Sequence, residues 1–136
     1  MGTGKTGNMK DSKSLIETTF EGLKVKSQKA FIPFLTCGYP DMEGFMEAFR
    51  LLDDAGADII EIGIPFSDPV ADGPVIQKSS HIALENGMSL RLLFEQLKNI
   101  RQTVSIPLLL MGYLNPVIQF GIDNFAKECE TIGIDG

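Results

Sequence analysis

Residues 58–64, with the sequence DIIEIGI, are apolar at almost every position, so this segment has to be buried on both faces. Its isoleucines favour a β-strand. Strands that are apolar at consecutive positions are typical of parallel sheets covered on both faces, whereas half-exposed strands alternate apolar and polar residues. Two further short apolar runs share this property: residues 30–38 (AFIPFLTCG) and 106–113 (IPLLLMGY). The sequence therefore predicts at least three strands of a covered parallel sheet.

Each apolar run is followed by a segment whose apolar residues recur at helical spacing. The clearest example begins at Asp41, a candidate helix N-cap, places Phe45 and Phe49 on one face, and ends at Gly56. Similar patterns predict four more helices, over residues 14–29, 75–87, 89–103 and 121–133. Buried strands that alternate with amphipathic helices predict an α/β fold with a parallel sheet.

The rhythm of these strand–helix units fits two architectures. A doubly wound sheet and an eight-stranded (β/α) barrel (the TIM barrel) share it, and periodicity alone does not choose between them. The loop after the first strand, TCGYPDM, lacks the G-x-G-x-x-G pattern, which disfavours a dinucleotide-binding sheet. Because a complete barrel typically needs about 250 residues, a chain of 136 residues is expected to form only about its first half.

The predicted folded unit covers residues 14–136 and contains three βα units and, at residues 134–136, the start of a fourth strand. Residues 1–13 are small, polar and Gly-rich, and are expected to be disordered or tag-like. They include the letters GTGKT, but a phosphate-binding loop requires an earlier glycine and a preceding strand, which this segment lacks.

Composition excludes several classes of function. The formal net charge is −6, from 12 basic and 18 acidic residues, which argues against a basic nucleic-acid-binding face and gives no attraction to anionic membranes. No apolar stretch approaches the roughly 20 residues of a membrane-spanning helix. Only two cysteines are present, Cys37 and Cys129, and no signal-peptide pattern precedes them. A cytoplasmic protein with reduced thiols is expected.

Glu61 stands in the middle of the second apolar run. Side chains alternate along a strand, so Ile60 and Ile62 point to one face while Glu61 and Gly63 point to the other. The isoleucine face suits the covering helices, which places Glu61 in the barrel interior near the strand's C-terminal end, where barrel active sites lie. A carboxyl group there suits general acid–base catalysis. The alternative is a structural carboxylate hydrogen-bonded to backbone amides.

Two more acids, Asp68 and Asp72, follow in the loop PFSDPVADGP. One precedes Pro and the other precedes Gly, and each taken singly is typical of a turn-forming residue. The convergence of three acids on one strand end and its loop favours a functional site. His81, the only histidine, falls in the following helix and is predicted to lie on the surface, so no metal site is predicted.

Three segments carry a resemblance to a known family. They are FIPFLTCGYPD, GADIIEIGIPFSDPVADGPVIQ, and LLLMGYLNPV followed by FGIDNFAKECETIGIDG. From about Leu15 to Gly136 the chain closely resembles the tryptophan synthase alpha subunit family. The resemblance implies an eight-stranded (β/α) barrel and a lyase that cleaves indole-3-glycerol phosphate to indole and glyceraldehyde 3-phosphate in tryptophan biosynthesis. It assigns Glu61 as the general acid–base residue and Asp72 as the group that binds the indole N–H.

The same resemblance implies a substrate pocket and a partner. Phe34 and Tyr113 correspond to residues that line the indole pocket, and strand alternation adds Met111 to them. The loop residues Pro65, Asp68 and Pro69 resemble the segment that contacts a beta subunit, which implies an alpha2-beta2 hetero-oligomer. The alpha chain itself is expected to need no cofactor, since pyridoxal phosphate (PLP) belongs to the beta subunit.

Two other functions remain open. One is a catalytically inactive partial barrel that acts only by docking to the beta subunit. The other is a related barrel enzyme that handles a different phosphorylated substrate, such as an indole-glycerol-phosphate synthase or an isomerase, which the pairing of Glu61 with Asp72 disfavours. The family's phosphate-binding loops have no counterpart in these 136 residues. The printed chain alone is therefore expected to be inactive, because substrate anchoring drives the chemistry.

Overall fold

The structure is a computed structural model that describes residues 12–136. Most of the predicted disordered segment, residues 1–11 of 1–13, lies outside the described residues. The six helices of the described part are α1 (Leu15–Val25), α2 (Met42–Asp54), α3 (Pro74–Glu85), α4 (Leu90–Leu97), α5 (Leu114–Phe120) and α6 (Ile122–Ile132). The three strands are β1 (Phe34–Thr36), β2 (Ile60–Gly63) and β3 (Leu108–Met111). No helix within residues 12–136 combines the length and apolar character that crossing a bilayer requires.

The strands form one parallel sheet in the order β1-β2-β3. Glu61 in β2 pairs with Phe34 of β1 on one side and with Leu109 of β3 on the other. Two residues further on, Gly63 pairs with Thr36 and Met111. The prediction of three parallel strands in one sheet is confirmed.

The two faces of the sheet have different surroundings. Ile60, Ile62 and Leu108 are fully buried and belong to the core that the helices close, together with Phe45 and Phe49 of α2. Residues in register on neighbouring parallel strands share a face, so Phe34, Glu61 and Leu109 form one row on the opposite face. The row above it contains Thr36, Gly63 and Met111. Glu61 therefore lies on the sheet face opposite Phe45 and Phe49 of α2, as its position between isoleucines predicts.

Helix ends follow the capping chemistry of the sequence. The Ser14 side chain accepts a hydrogen bond from the Glu17 N–H at the start of α1, and Glu17 returns one to the Ser14 N–H, a capping box. The Asp41 side chain accepts from the Gly44 N–H at 2.8 Å to start α2, and the Ser89 hydroxyl accepts from the Leu92 N–H to start α4. These bonds satisfy N–H groups that have no partner within the helix.

Several elements differ from the prediction in their bounds, among them α1, which ends at Val25. The sequence analysis assigned no element to α5, which has Pro116 in its first turn, where the missing N–H costs nothing. The predicted helix over residues 89–103 ends at Leu97 and resumes as a short 3₁₀ turn, Ile100–Gln102, because Asn99 leaves the helical region. The strand predicted over residues 30–38 is regular only at Phe34–Thr36. Pro33 lacks an N–H and shortens the regular ladder.

Residues 134–136 lie along β3. The Leu110 N–H donates to the Gly136 carbonyl, and the Asp135 N–H donates to the Leu108 carbonyl, each at 2.9 Å. The Asp135 side chain accepts from the Leu108 N–H and also from Arg101. This polar cluster lies at the N-terminal end of β3, opposite the strand ends that carry the acidic loop.

Candidate functional site

A cavity of about 260 Å³ opens at the C-terminal ends of the strands. Its walls are largely apolar, and the three residues predicted to form the substrate pocket, Phe34, Met111 and Tyr113, all line it. Asp72 from the loop after β2 contributes a carboxylate, and the second row of the sheet face forms part of the floor. An apolar chamber with few polar groups is the usual form of a small-molecule site.

Gly63 lines this cavity. Glu61 lies on the same face of the sheet, one row nearer the N-terminal ends of the strands. Its side chain is half-buried and makes no hydrogen bond to any other residue in the range 12–136. The absence of a side chain at Gly63 leaves room for the Phe34 ring: a Cβ there would lie 2.9 Å from Phe34 Cε2 and 3.3 Å from the Leu35 carbonyl oxygen. The acid is therefore left with its oxygens unpaired within the described chain.

Asp72 is held by a hydrogen bond from a distant residue. The Tyr113 hydroxyl donates to Asp72 Oδ2 at 3.0 Å and accepts from the Ala71 N–H at 2.9 Å. Partial burial raises the pKa of Tyr113, and its bond to Asp72 raises it further, against an opposing effect of the Ala71 N–H. The phenol therefore stays protonated at neutral pH and donates to the carboxylate, which leaves Oδ1 free of that bond.

Gln77 contacts the same loop from α3. Its side-chain nitrogen donates to the Asp72 carbonyl at 2.8 Å and lies 3.4 Å from the Pro69 carbonyl. The sequence analysis treated Gln77 only as a helical position and Tyr113 only as a pocket wall. A signal for Gln77 is present in the sequence, since a long amide side chain near a helix start can reach back to the preceding turn.

The loop residues predicted to meet a partner differ in exposure. Asp68 is exposed and accepts a hydrogen bond from the Ser67 hydroxyl at 2.7 Å. Pro69 is half-buried and Pro65 is buried. Val70, which no sequence argument singled out, is 86% exposed and follows directly. The accessible part of this loop is therefore centred on residues 67–71.

Pro65 lines a second cavity, of about 460 Å³. Phe66 contributes from the loop, and the remaining apolar wall comes from the α3–α4 corner and from α5: Leu84, Met88, Leu90, Pro116 and Phe120. Tyr113 and Phe66 stack at 5.1 Å between ring centroids, so one aromatic pair connects the loop to the end of β3. Ile64, at the start of the loop, lines both cavities.

Other reactive side chains do not join the site. His81 is exposed on α3 and pairs with Glu85 at 3.1 Å, so the prediction of a surface histidine is confirmed. Burial raises the pKa of the Cys37 thiol to about 12, so that thiol is not a nucleophile at neutral pH. Within residues 12–136, no three His, Cys, Asp or Glu side chains gather as a metal site would require.

Parallel strands that alternate with helices along the chain, and an acid-bearing apolar cavity at the C-terminal ends of the strands, define part of a (β/α) barrel with an enzyme-type site. The sequence profile of the family described as "Tryptophan synthase alpha chain" matches residues 20–136. The chain therefore belongs to the tryptophan synthase alpha chain family.

Individual relatives agree with this assignment. The tryptophan synthase alpha chain of Flavobacterium psychrophilum is 55% identical over 111 residues, which are 82% of this chain and 44% of the relative. That of Bacteroides fragilis is 61% identical over 103 residues, which are 76% of this chain and 39% of the relative. The chain thus spans less than half the length of these curated relatives.

A solved structure confirms the fold. The crystal structure of tryptophan synthase subunit alpha from Legionella pneumophila superposes with a TM-score of 0.87 at 39% sequence identity. The match covers 92% of this chain and 48% of that one. The prediction that these residues form about half of a (β/α) barrel is confirmed.

Proposed function

We propose that the protein is a carbon–carbon lyase that cleaves indole-3-glycerol phosphate to indole and glyceraldehyde 3-phosphate in tryptophan biosynthesis. The observation that carries the proposal is the pairing of two unlike carboxylates on one side of the sheet. Asp72 is fixed by Tyr113 at the edge of an apolar cavity, whereas Glu61 lies deeper and its side chain makes no hydrogen bond to another described residue. Family membership supports the same activity.

The two acids suit the two demands of this reaction. The indole C3 must gain a proton and the adjacent glycerol hydroxyl must lose one before the bond between their carbons breaks. Glu61, with its oxygens free, is the group proposed to move these protons. Protonation at C3 leaves the ring cationic, and the Asp72 carboxylate would accept the indole N–H and stabilise that charge without reorganising, because Tyr113 holds it.

The apolar walls of the cavity fit the indole ring of the substrate. Phe34 and Met111 present ring and thioether surface to the cavity, as a flat aromatic ligand requires. Excluding water there strengthens the interaction between the Asp72 carboxylate and a developing positive charge. Since proton transfer and fixed charge suffice for this chemistry, the proposal calls for no cofactor in this chain.

The direct test is an assay for indole with the longer chain, meaning this sequence extended to the length of its relatives. We expect indole-3-glycerol phosphate to give indole and glyceraldehyde 3-phosphate in equal amounts. Chromatography measures both products. The 136-residue chain, assayed beside it, is expected to release none, because binding energy from the phosphate is needed to drive the step. A longer chain that folds and yields no indole would refute the proposed activity.

We propose further that residues 67–71 dock onto a PLP-dependent tryptophan synthase beta subunit, in an alpha2-beta2 assembly. Asp68 and Val70 support this, since both are exposed on a loop whose inner side carries Asp72. A partner that presses on this loop would contact the backbone next to the catalytic aspartate. The inactive docking chain remains an alternative only if the longer chain binds a beta subunit and lacks lyase activity.

Replacing Asp68 with Asn in the longer chain is expected to weaken binding to the beta subunit roughly tenfold, because a loop charge that meets a complementary group contributes to association. Isothermal titration with the purified beta subunit measures the dissociation constant. Asp54→Asn is the matched control, since Asp54 is an exposed acid at the end of α2. Equal affinity of the Asp68→Asn and Asp54→Asn variants would contradict docking through this loop.

The compartment is also a proposal. We place the protein in the cytoplasm, with support from its two free thiols, Cys37 and Cys129. Free cysteines persist most readily where the cell keeps thiols reduced.

A further inference from the structure

We propose that Gln77 is a positioning residue for Asp72, acting through the backbone of the turn formed by residues 69–72; the proposal rests on the lyase function above. The turn is closed by the Asp72 N–H, which donates to the Pro69 carbonyl at 3.0 Å. The Gln77 carboxamide nitrogen lies 2.8 Å from the Asp72 carbonyl oxygen and 3.4 Å from that of Pro69. An amide nitrogen carries two hydrogens, so one side chain can serve both ends of the turn.

Gln77 reaches the turn from a firmly placed helix. Its own N–H donates to the Gly73 carbonyl at 3.0 Å, in the first turn of α3. Further along α3, the buried hydroxyls of Thr36 and Ser79 are 2.7 Å apart and tie the helix to β1. The Asn86 side chain donates to the Pro40 carbonyl at 2.6 Å and ties the end of the helix to the loop after β1. The base from which Gln77 acts is therefore fixed at two further points.

Two residues hold the turn, and each binds different groups of it. Tyr113 binds the Asp72 carboxylate and the Ala71 N–H from the end of β3. Gln77 binds main-chain carbonyls from α3. Without Gln77 the carboxylate keeps its phenol donor, but the peptide plane of Asp72 is free to rotate. The position of Asp72 at the edge of the cavity is then less fixed, and catalytic groups lose efficiency steeply when misplaced.

The activity test uses Gln77→Met and Gln77→Glu in the longer chain. Met keeps the length of the side chain without hydrogen bonds, while an ionised Glu offers only acceptors to two carbonyl oxygens. We expect kcat for indole release to fall roughly tenfold in Gln77→Met with KM changed less than about threefold. Gln77→Glu should be impaired at least as much. A residue that merely fills space would leave both variants close to the unsubstituted protein.

Gln96 supplies the matched control. It is exposed on α4 and makes no side-chain hydrogen bond to another residue of the range 12–136. Gln96→Met and Gln96→Glu make the same chemical changes away from the loop, and we expect kcat and KM to stay within about twofold of the unsubstituted values, as for a surface substitution that breaks no contact.

Backbone hydrogen exchange separates this proposal from the lyase function. In Gln77→Met we expect the amides of Ala71 and Asp72 to exchange several-fold faster than in the unsubstituted chain, with amides of the strands unchanged. Faster exchange together with lower kcat supports the proposal. If the amides of Ala71 and Asp72 exchange at an unchanged rate, the proposal is wrong whatever the activity. If they exchange faster but kcat is unchanged, the proposal is also wrong. If the unsubstituted chain releases no indole, the lyase function is refuted instead. The exchange rates would still show whether Gln77 stabilises the turn.

Discussion

Replacing Glu61 with Gln in the longer chain is expected to lower kcat for indole release roughly a thousandfold. General acid–base groups contribute about 10²- to 10⁴-fold to rate, and Gln keeps the shape of the side chain but cannot exchange a proton. The value of KM should change little, because Gln still fills the same place between Phe34 and Leu109 on the sheet face. Steady-state assays with indole-3-glycerol phosphate measure both constants.

Folding is not expected to confound this result. Glu61 makes no side-chain hydrogen bond to other residues of the range 12–136, so the exchange of an oxygen for an amide breaks no internal contact. Urea denaturation should give a free energy of unfolding within about 0.5 kcal/mol of the unsubstituted value. Glu47→Gln, at an exposed position of α2, serves as the control. Retained turnover in a folded Glu61→Gln variant would remove Glu61 from the mechanism.

The placement of Glu61 could be predicted because it depends on local geometry alone. Alternation along β2 is fixed by the extended backbone, and the isoleucines on either side choose the helix-covered face. The strand–helix alternation is equally local, which is why five of the six helices could be located from spacing and caps. The sixth, α5, follows β3 directly and contains Pro116, and its seven residues are too few for periodicity to show.

The contacts that orient Asp72 could not be predicted in the same way. Tyr113 is 41 positions away in the chain, and only the parallel pairing of β2 with β3 brings the two strand ends together. An aromatic residue at a strand end is compatible with packing, stacking or hydrogen bonding, so its sequence position does not distinguish these roles. The direction of Gln77 depends on how the loop folds back over α3, and loop geometry is weakly encoded in composition.

The cluster around Arg101 lies at the other end of β3 and was likewise not visible in the sequence. Nε and Nη2 of Arg101 donate to the Gly133 carbonyl at 3.0 and 2.7 Å, and Nη1 donates to the Ile106 carbonyl at 2.6 Å. Nη2 also pairs with the Asp135 carboxylate, which in turn accepts from the Leu108 N–H at 2.9 Å. One guanidinium thus joins the segment before β3 to the segment after α6.

Replacing Arg101 with Met in the longer chain is expected to lower the free energy of unfolding by about 3 kcal/mol. The side chains of Arg101 and Asp135 are only 26% and 19% exposed, so the carboxylate and two carbonyls would lose a charged donor with little water to replace it. Urea denaturation with a constant m-value measures the change. Arg50→Met, at an exposed position of α2, should change stability by less than about 0.5 kcal/mol.

Activity measurements distinguish a loss of stability in Arg101→Met from damage to the candidate site. The Arg101 cluster lies at the N-terminal end of the sheet, where barrel residues contribute to stability, while the cavity with Asp72 lies at the C-terminal end. We therefore expect folded Arg101→Met protein to keep kcat and KM within about twofold, measured well below its unfolding midpoint. Unchanged stability would show that the ion pair offsets only its own desolvation. A large fall in kcat without loss of stability would contradict this separation of the two ends of β3.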